Sequence, residues 1–357
     1  MNDVFLDGKV FGYSRHGGIG RMHYEVIKGV SPQLAMTLFH GLYIDEYDWN
    51  LATLVDGIGN NWRWTFKGSA RVREVLERLW LNRAWNDFSL NRKVIYHSSY
   101  YRLPTNMNGQ KLLISDFDCV HERYPELFSN ADSVIRMKQK ALQKADLIAT
   151  ISQSSKEDLI RFHQIPEEKI RVVHLGVTSF FSPGKAFEKK QSRPYLVYVG
   201  SRAAYKNFKL LHGVFAHGKI RGYDLVVIGG ECALAKEKLP SGGEIRWCHA
   251  DDYQLREIYR GAAAFIYPSL YEGFGIPPLE ALACGCPVVA SDILVLHEVL
   301  GDVVEYFDPL SEDSLVDAIK QAVKNKDINA TLGMEHVKQY TWERVSDEFL
   351  NIYKDLG

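Results

Sequence analysis

A chain of 357 residues, 46% of them apolar, is too long for one comfortable hydrophobic core and suits two domains. Its 43 Lys and Arg against 44 Asp and Glu argue against a nucleic-acid binder that relies on bulk charge. No apolar run approaches the ~20 residues of a spanning helix, and the opening MNDVFLDG has neither the basic leader nor the apolar core of a signal peptide, so a cytoplasmic protein is expected.

Val4 to Leu6 and Val10 to Gly12 are short strand candidates. SRHGGIGRMHYEVIKGV follows as a glycine turn entering a helix, with Gly17, Gly18 and Gly20 allowing close backbone approach and Ile19, His23 and Ile27 facing inward. The spacing departs from the G-x-G-x-x-G dinucleotide fingerprint. Between residues 60 and 93, Trp62, Trp64, Trp80 and Trp85 are interleaved with arginines and lysines, and Val72, Val75, Leu76, Leu79 and Trp80 keep helical spacing. Core aromatics beneath a solvated basic face are one reading, and a patch for an acceptor or a membrane surface is another. Stacking on single-stranded nucleic acid has no supporting fold signal.

KVIYH and KLLIS are further strands, and Asp116, Asp118, His121 and Glu122 come straight after the second, where a parallel sheet presents its ligand-facing residues. Helix through KQKALQKA, strand DLIATIS, a helix capped by Ser152 or Ser154, and strand KIRVV complete the first half. Strand alternating with helix means α/β architecture with parallel sheets covered on both faces. Ser182 to Pro194 is polar, proline-flanked and aperiodic, and 183–194 is taken as the linker after a domain of residues 1–182. YLVYV is the next strand; Gly200 turns it, and Arg202 and Lys206 lie in the following loop, where two cations suit a diphosphate. Five scattered cysteines fit reduced thiols. Cys284 and Cys286 have no second pair at zinc spacing, so no metal is expected there.

Ala263 to Asp292 carries the most information. An apolar strand ends at Tyr267, Gly273 and Gly275 bracket Phe274, and Pro277 and Pro278 sit where a helix begins. Gly285 then stops the helix before the strand CPVVAS. A glycine turn into a helix start leaves backbone N–H groups and the positive end of a dipole for a phosphate. Glu272 and Glu280, with seven residues between them, suit the hydroxyls on either side of that phosphate: Glu280 a ribose, Glu272 a sugar beyond.

Glu272 through Glu280 resembles the signature E-G-F-G-x-P-x-x-E of the retaining glycosyltransferases of family four, the mannosyltransferase and glycogen-synthase-like group. That resemblance implies a GT-B fold: two facing Rossmann-like domains, the donor domain at 195–339, and a crossing helix at 340–357 that packs back on the first domain. It also implies that Gly17 and Gly18 face the donor phosphates and acceptor, that Arg202 and Lys206 of the loop ending in K-N bind the diphosphate, and that Cys248 to Asp251 meets the nucleobase through backbone groups. Relatives carry a His-Asp pair before Y-P. Here Tyr124 and Pro125 place Asp118 at the acid and Phe117 at the histidine, with His97 and His121 as candidate replacements.

The expected activity is retaining, metal-independent transfer of a hexose from a UDP- or GDP-sugar to a hydroxyl of a saccharide or lipid-linked glycan, in surface polysaccharide synthesis. Arg202, Lys206 and the Gly273–Gly275 turn would stabilise charge on the departing diphosphate, and Glu272 would position the sugar. Peripheral membrane contact is assigned to residues 60–93, and nucleic acid is not an expected partner. A sugar-nucleotide epimerase and a silent nucleotide-sugar-binding protein are the alternatives.

Overall fold

The computed structural model describes residues 2–12, 18–43, 51–61, 69–184, 193–230, 235–239 and 242–357. The chain forms two compact units, Met1–Gly176 with Trp342–Gly357, and Val177–Thr341. Most of the expected linker lies outside the described residues.

The first unit is built on β1 (Asp3–Asp7), β2 (Met36–Tyr43), β3 (Asp56–Asn61), β4 (Val94–Ser98), β5 (Lys111–Asp116), β6 (Leu147–Thr150) and β7 (Ile170–Val172), in the order β3-β2-β1-β4-β5-β6-β7. Every neighbouring pair is parallel. Leu112, Leu113 and Ile114 of β5 are all buried, as a parallel strand covered on both faces requires. Its helices are α1 (Gly18–Val30), α2 (Ser69–Ser89), α3 (Val120–Arg123), α4 (Ala131–Lys144) and α5 (Gln153–His163). Ser152 caps α5 by accepting the Ser155 N–H at 2.9 Å.

The second unit repeats the plan with β8 (Tyr195–Val199), β9 (Asp224–Ile228), β10 (Ala235–Lys238), β11 (Glu244–Cys248), β12 (Ala264–Tyr267), β13 (Val288–Ser291) and β14 (Glu305–Phe307), ordered β10-β11-β9-β8-β12-β13-β14. Only the edge pair β10 and β11 is antiparallel. The helices are α6 (Phe208–Ala216), α7 (Asp252–Gly261), α8 (Ile276–Ala283), α9 (Leu294–Leu300), α10 (Glu312–Lys324) and α11 (Lys326–Val337). Asp251 and Gln254 form a reciprocal capping box on α7.

The last helix, α12 (Trp342–Leu356), belongs to the first unit. It lies against α1, where Gly29 leaves no room for a side chain beside Ser346, whose hydroxyl donates to the Glu25 carbonyl at 3.2 Å. Tyr353 reaches from α12 into the sheet, its hydroxyl 2.8 Å from His97 Nδ1.

Two local expectations fail. Gly8–Gly12 is a 3-10 helix, not a strand through Val10, because Asp7 Oδ1 and Ser99 Oγ capture the Lys9 and Val10 amides, each at 3.2 Å, and turn the chain off the sheet. The apolar stripe of α2 faces outward, with Val72, Val75, Leu76 and Leu79 exposed, while Glu77, Leu81 and Trp85 face the sheet. Glu77 is drawn inward by Lys9 Nζ at 2.8 Å and Arg102 Nη1 at 3.2 Å, and Trp85 Nε1 donates to the Asn106 carbonyl at 2.9 Å.

Candidate active site

The carboxyl ends of β8 and β12, adjacent strands of the second sheet, carry the groups that define the site. At the end of β8 the Gly200 N–H donates to the Ile228 carbonyl at 3.0 Å with φ at 153°, a region that favours glycine. The chain then makes a 3-10 turn over Ala204–Lys206 and enters α6 through Asn207 in the left-handed conformation. Asn207 Nδ2 anchors this turn to the Pro309 carbonyl at 2.8 Å. The Leu270 N–H donates to the Tyr205 carbonyl at 2.8 Å, joining this loop to the one after β12.

That stitching brings Lys206 to Glu272. The ammonium lies 2.7 and 2.8 Å from the two carboxylate oxygens, and Glu272 is only 9% exposed. Lys206 also lies over the rings of Tyr205 and Tyr267, at 5.3 and 5.9 Å. Burial first, and the Glu272 charge and hydrogen bond after it, push the Tyr267 phenol well up, so it stays a neutral donor beside the carboxylate. Neither tyrosine was picked out from sequence; the position of Tyr267 as the last residue of β12 was the available signal.

Arg202 takes a different place. Its Nη1 donates to the Gly229 carbonyl at 3.0 Å and its guanidinium lies 5.0 Å from the Trp247 ring. Gly229 and Gly230 both have positive φ, and a side chain on Gly230 would collide with the guanidinium.

The turn before α8 keeps the expected order with two refinements. Gly275, at φ 110°, is the N-cap, and a Cβ there would approach Leu296 Cδ2 to 3.2 Å. Pro277 and Pro278 remove two N–H groups from the first helical turn, so an anion would be held by the amides of the glycine loop and by the dipole. The Phe274 side chain is buried, edge-on to Tyr340 at 5.8 Å, and what it offers the loop is its backbone. Glu280, expected in the first helical turn, opens the second because α8 begins at Ile276. The buried hydroxyls of Ser269 and Ser291, at the carboxyl ends of β12 and β13, lack a hydrogen-bond partner among the described residues.

In the first unit, Gly17 lies outside the described residues and Gly18 is the exposed first residue of α1. Asp118 and His121 follow β5. Asp118 Oδ1 accepts the Val120 N–H at 3.0 Å, and the His121 ring packs 4.3 Å from that of Phe128. His97 is enclosed, with Nε2 2.8 Å from Ser115 Oγ and Nδ1 on Tyr353, so it ties the sheet to α12. Phe117 is buried, its ring 5.8 Å from that of His23. Cys284 and Cys286 are buried small groups; among the described residues the one cluster with metal-ligand proximity is Cys119, Glu122 and His163.

Two α/β units, each built on a wholly or largely parallel sheet, have the GT-B fold of the solved structures they resemble. Residues 184–338, within the second unit, match the family described as Glycosyl transferases group 1. It is 28% identical over 380 residues to the O-antigen chain mannosyltransferase B of Escherichia coli, covering 95% of this chain and 96% of that one. In fold it is similar to sucrose-phosphate synthase from Thermosynechococcus elongatus, with a TM-score of 0.76 and 16% identity over 100% of this chain and 99% of that one. It is also similar to Anabaena HepE in complex with UDP-glucose, with a TM-score of 0.75 and 12% identity over 99% of this chain and 100% of that one.

Proposed function

We propose that this chain is a retaining, metal-independent mannosyltransferase that extends a surface polysaccharide from a nucleoside-diphosphate mannose. The E. coli relative named as an O-antigen chain mannosyltransferase matches nearly end to end and supports the choice of sugar and setting. The observation that carries the reading is the Lys206–Glu272 pair at the mouth of the glycine loop. The Glu272 carboxylate orients hexose hydroxyls while the ammonium beside it faces the bond to be broken. An acceptor hydroxyl attacks the anomeric carbon, the bond to the diphosphate breaks, and the acceptor proton passes to the departing diphosphate oxygen. Arg202, Lys206 and the loop amides stabilise the negative charge that develops there, which is the role a divalent metal would otherwise fill. Glu280 holds the ribose.

The deciding assay incubates the protein with GDP-mannose or UDP-hexoses, with and without a lipid-linked glycan, and in the presence of EDTA. Transfer of α-linked mannose from an α-linked donor, undiminished by EDTA, is expected. An inverted product, loss of activity with EDTA, or release of sugar without any acceptor refutes the corresponding part of the proposal.

The partner of the exposed α2 stripe is proposed to be an anionic lipid surface. Val72, Val75, Leu76 and Leu79, 45, 52, 43 and 60% exposed, form one apolar face, flanked by exposed Arg78 and Arg83. Apolar side chains at headgroup depth beside arginines suit such a surface. Sedimentation with anionic but not neutral vesicles is expected, and Leu76→Glu with Leu79→Glu should abolish it; binding unchanged by that pair of substitutions would refute the assignment.

A further inference from the structure

Beneath the loop that follows β5, four groups converge on one amine. Lys138 of α4 is 2% exposed, and its Nζ lies 2.8 Å from Asp116 Oδ1, 2.5 Å from the Asp118 carbonyl, 3.3 Å from Cys119 Sγ and 3.7 Å from Glu122 Oε1. The outer groups are braced in turn: the Tyr101 hydroxyl donates to Asp116 at 2.6 Å, and His163 Nε2 lies 2.7 Å from Glu122. Burying an unpaired charge is expensive, so an enclosed lysine persists only where carboxylates surround it. Burial opposes the Lys138 charge, yet Asp116 foremost, with Tyr101, Cys119 and Glu122, holds its pKa well above the ordinary value.

The ligand atoms of Cys119, Glu122 and His163 also lie within 4.8 Å of one another, a sulfur, oxygen and nitrogen set of the kind that binds zinc or cobalt. Lys138 contacts two of the three. The cation of this cluster is an ammonium carried by the chain itself.

We infer that Lys138 is a positioning residue that takes the place of a metal ion: by gathering Asp116, the Asp118 carbonyl, Cys119 and Glu122, it fixes the loop that presents Asp118 and His121. The kinetic consequence rests on the proposed transferase, and on the expectation that Asp118 and His121, which follow β5 where a parallel sheet presents ligand-facing residues, serve its acceptor. The cation-site half stands without it.

Two measurements separate the halves. Lys138→Met keeps the length of the side chain and removes the charge; turnover falls about 10- to 100-fold and acceptor KM rises, while donor Kd, set in the second unit, is unchanged. Should that variant fail to fold, Tyr101→Phe, which loosens Asp116 without stranding a charge, is expected to show the same split more weakly. Wild-type turnover and acceptor KM in the folded variant overturn the positioning role. Lys138→Ala removes the ammonium from beside Cys119 and Glu122, and titration with Co2+ should then give a thiolate-to-cobalt absorption in the near ultraviolet. That band is expected to be absent from the wild type and lost with Cys119→Ser. Folding of Lys138→Ala only when Co2+ is added supports the same conclusion. No band in the folded variant, or no folding even with Co2+, overturns the cation site. A wild-type protein that transfers no sugar defeats the transferase reading and leaves the cobalt titration decisive.

Discussion

Lys206 and Glu272 meet as a closed ion pair in which one ammonium spans both oxygens of the carboxylate, at 2.7 and 2.8 Å. A lysine so placed cannot act on a diphosphate independently of the glutamate, and the two should behave as a coupled unit. Lys206→Met is expected to lower kcat about 100- to 1000-fold, the cost of removing one donor aimed at developing charge. Glu272→Gln should lower it by less. In the double variant the losses should fall short of additive, with an interaction of about 0.5–3 kcal/mol. Strict additivity in that cycle would show that the pair does not work together at the transition state.

Glu280 tests where the nucleotide lies. It opens the second turn of α8, close enough that, after burial itself, its charge is the main influence raising the phenol of Tyr259. A charged hydrogen bond is worth about 1.5–3 kcal/mol, so Glu280→Ala should weaken donor binding about 10- to 100-fold by calorimetry while leaving kcat at saturating donor nearly unchanged. An unchanged donor Kd would place the ribose elsewhere.

The glycine and proline chemistry between Gly273 and Pro278 was readable because a turn is written in consecutive residues, and Gly275 does cap α8. The ion pair was not, since its members stand 66 positions apart and no spacing rule reaches that far. The same limit explains α2. Helical periodicity shows which residues share a face, but the direction of that face is decided by Lys9 and Arg102, both remote in sequence, which pull Glu77 to the sheet and leave the aliphatic stripe outside. Lys138 was one of several basic residues in an amphipathic helix, and only the fold encloses it. His97, considered as a stand-in for the histidine absent at Phe117, turns out to brace α12.

His23 and His97 make the first unit acid-sensitive. Burial, opposed only by a hydrogen bond to the Ile19 carbonyl, lowers His23 from 6.5 to about 4. Burial and the neighbouring His23 lower His97 well below its ordinary value as well. As pH falls below 6.5 the unfolded chain takes up these protons before the folded one, so stability is full above that value and declines as pH falls, the His23 share being lost by about 4. His23→Gln should flatten the fall in urea midpoint between about pH 7 and pH 5, whatever its effect at neutral pH. A slope equal to that of the wild type would assign the acid sensitivity to other groups.

Arg102 anchors the outward-facing α2 to the sheet. Its guanidinium holds the fully buried Asp7 carboxylate and reaches Glu77 on α2 at 3.2 Å, with Lys9 closing the network on Glu77 at 2.8 Å and the Phe39 ring 5.3 Å away. Asp7 already feels an upward push from burial that Arg102 only partly offsets. Arg102→Met therefore strands two buried carboxylates with one lysine, and the penalty for breaking such a network is about 3–5 kcal/mol. Chemical denaturation should show that loss, and protease cleavage should concentrate in α2 once Glu77 is released. Adding Asp7→Asn and Glu77→Gln removes the stranded carboxylate charges and should recover part of the stability, with the partly exposed Lys9 left to turn to solvent. If the triple variant is no more stable than Arg102→Met alone, packing of the guanidinium on Phe39 holds α2 in place, and the charges do not.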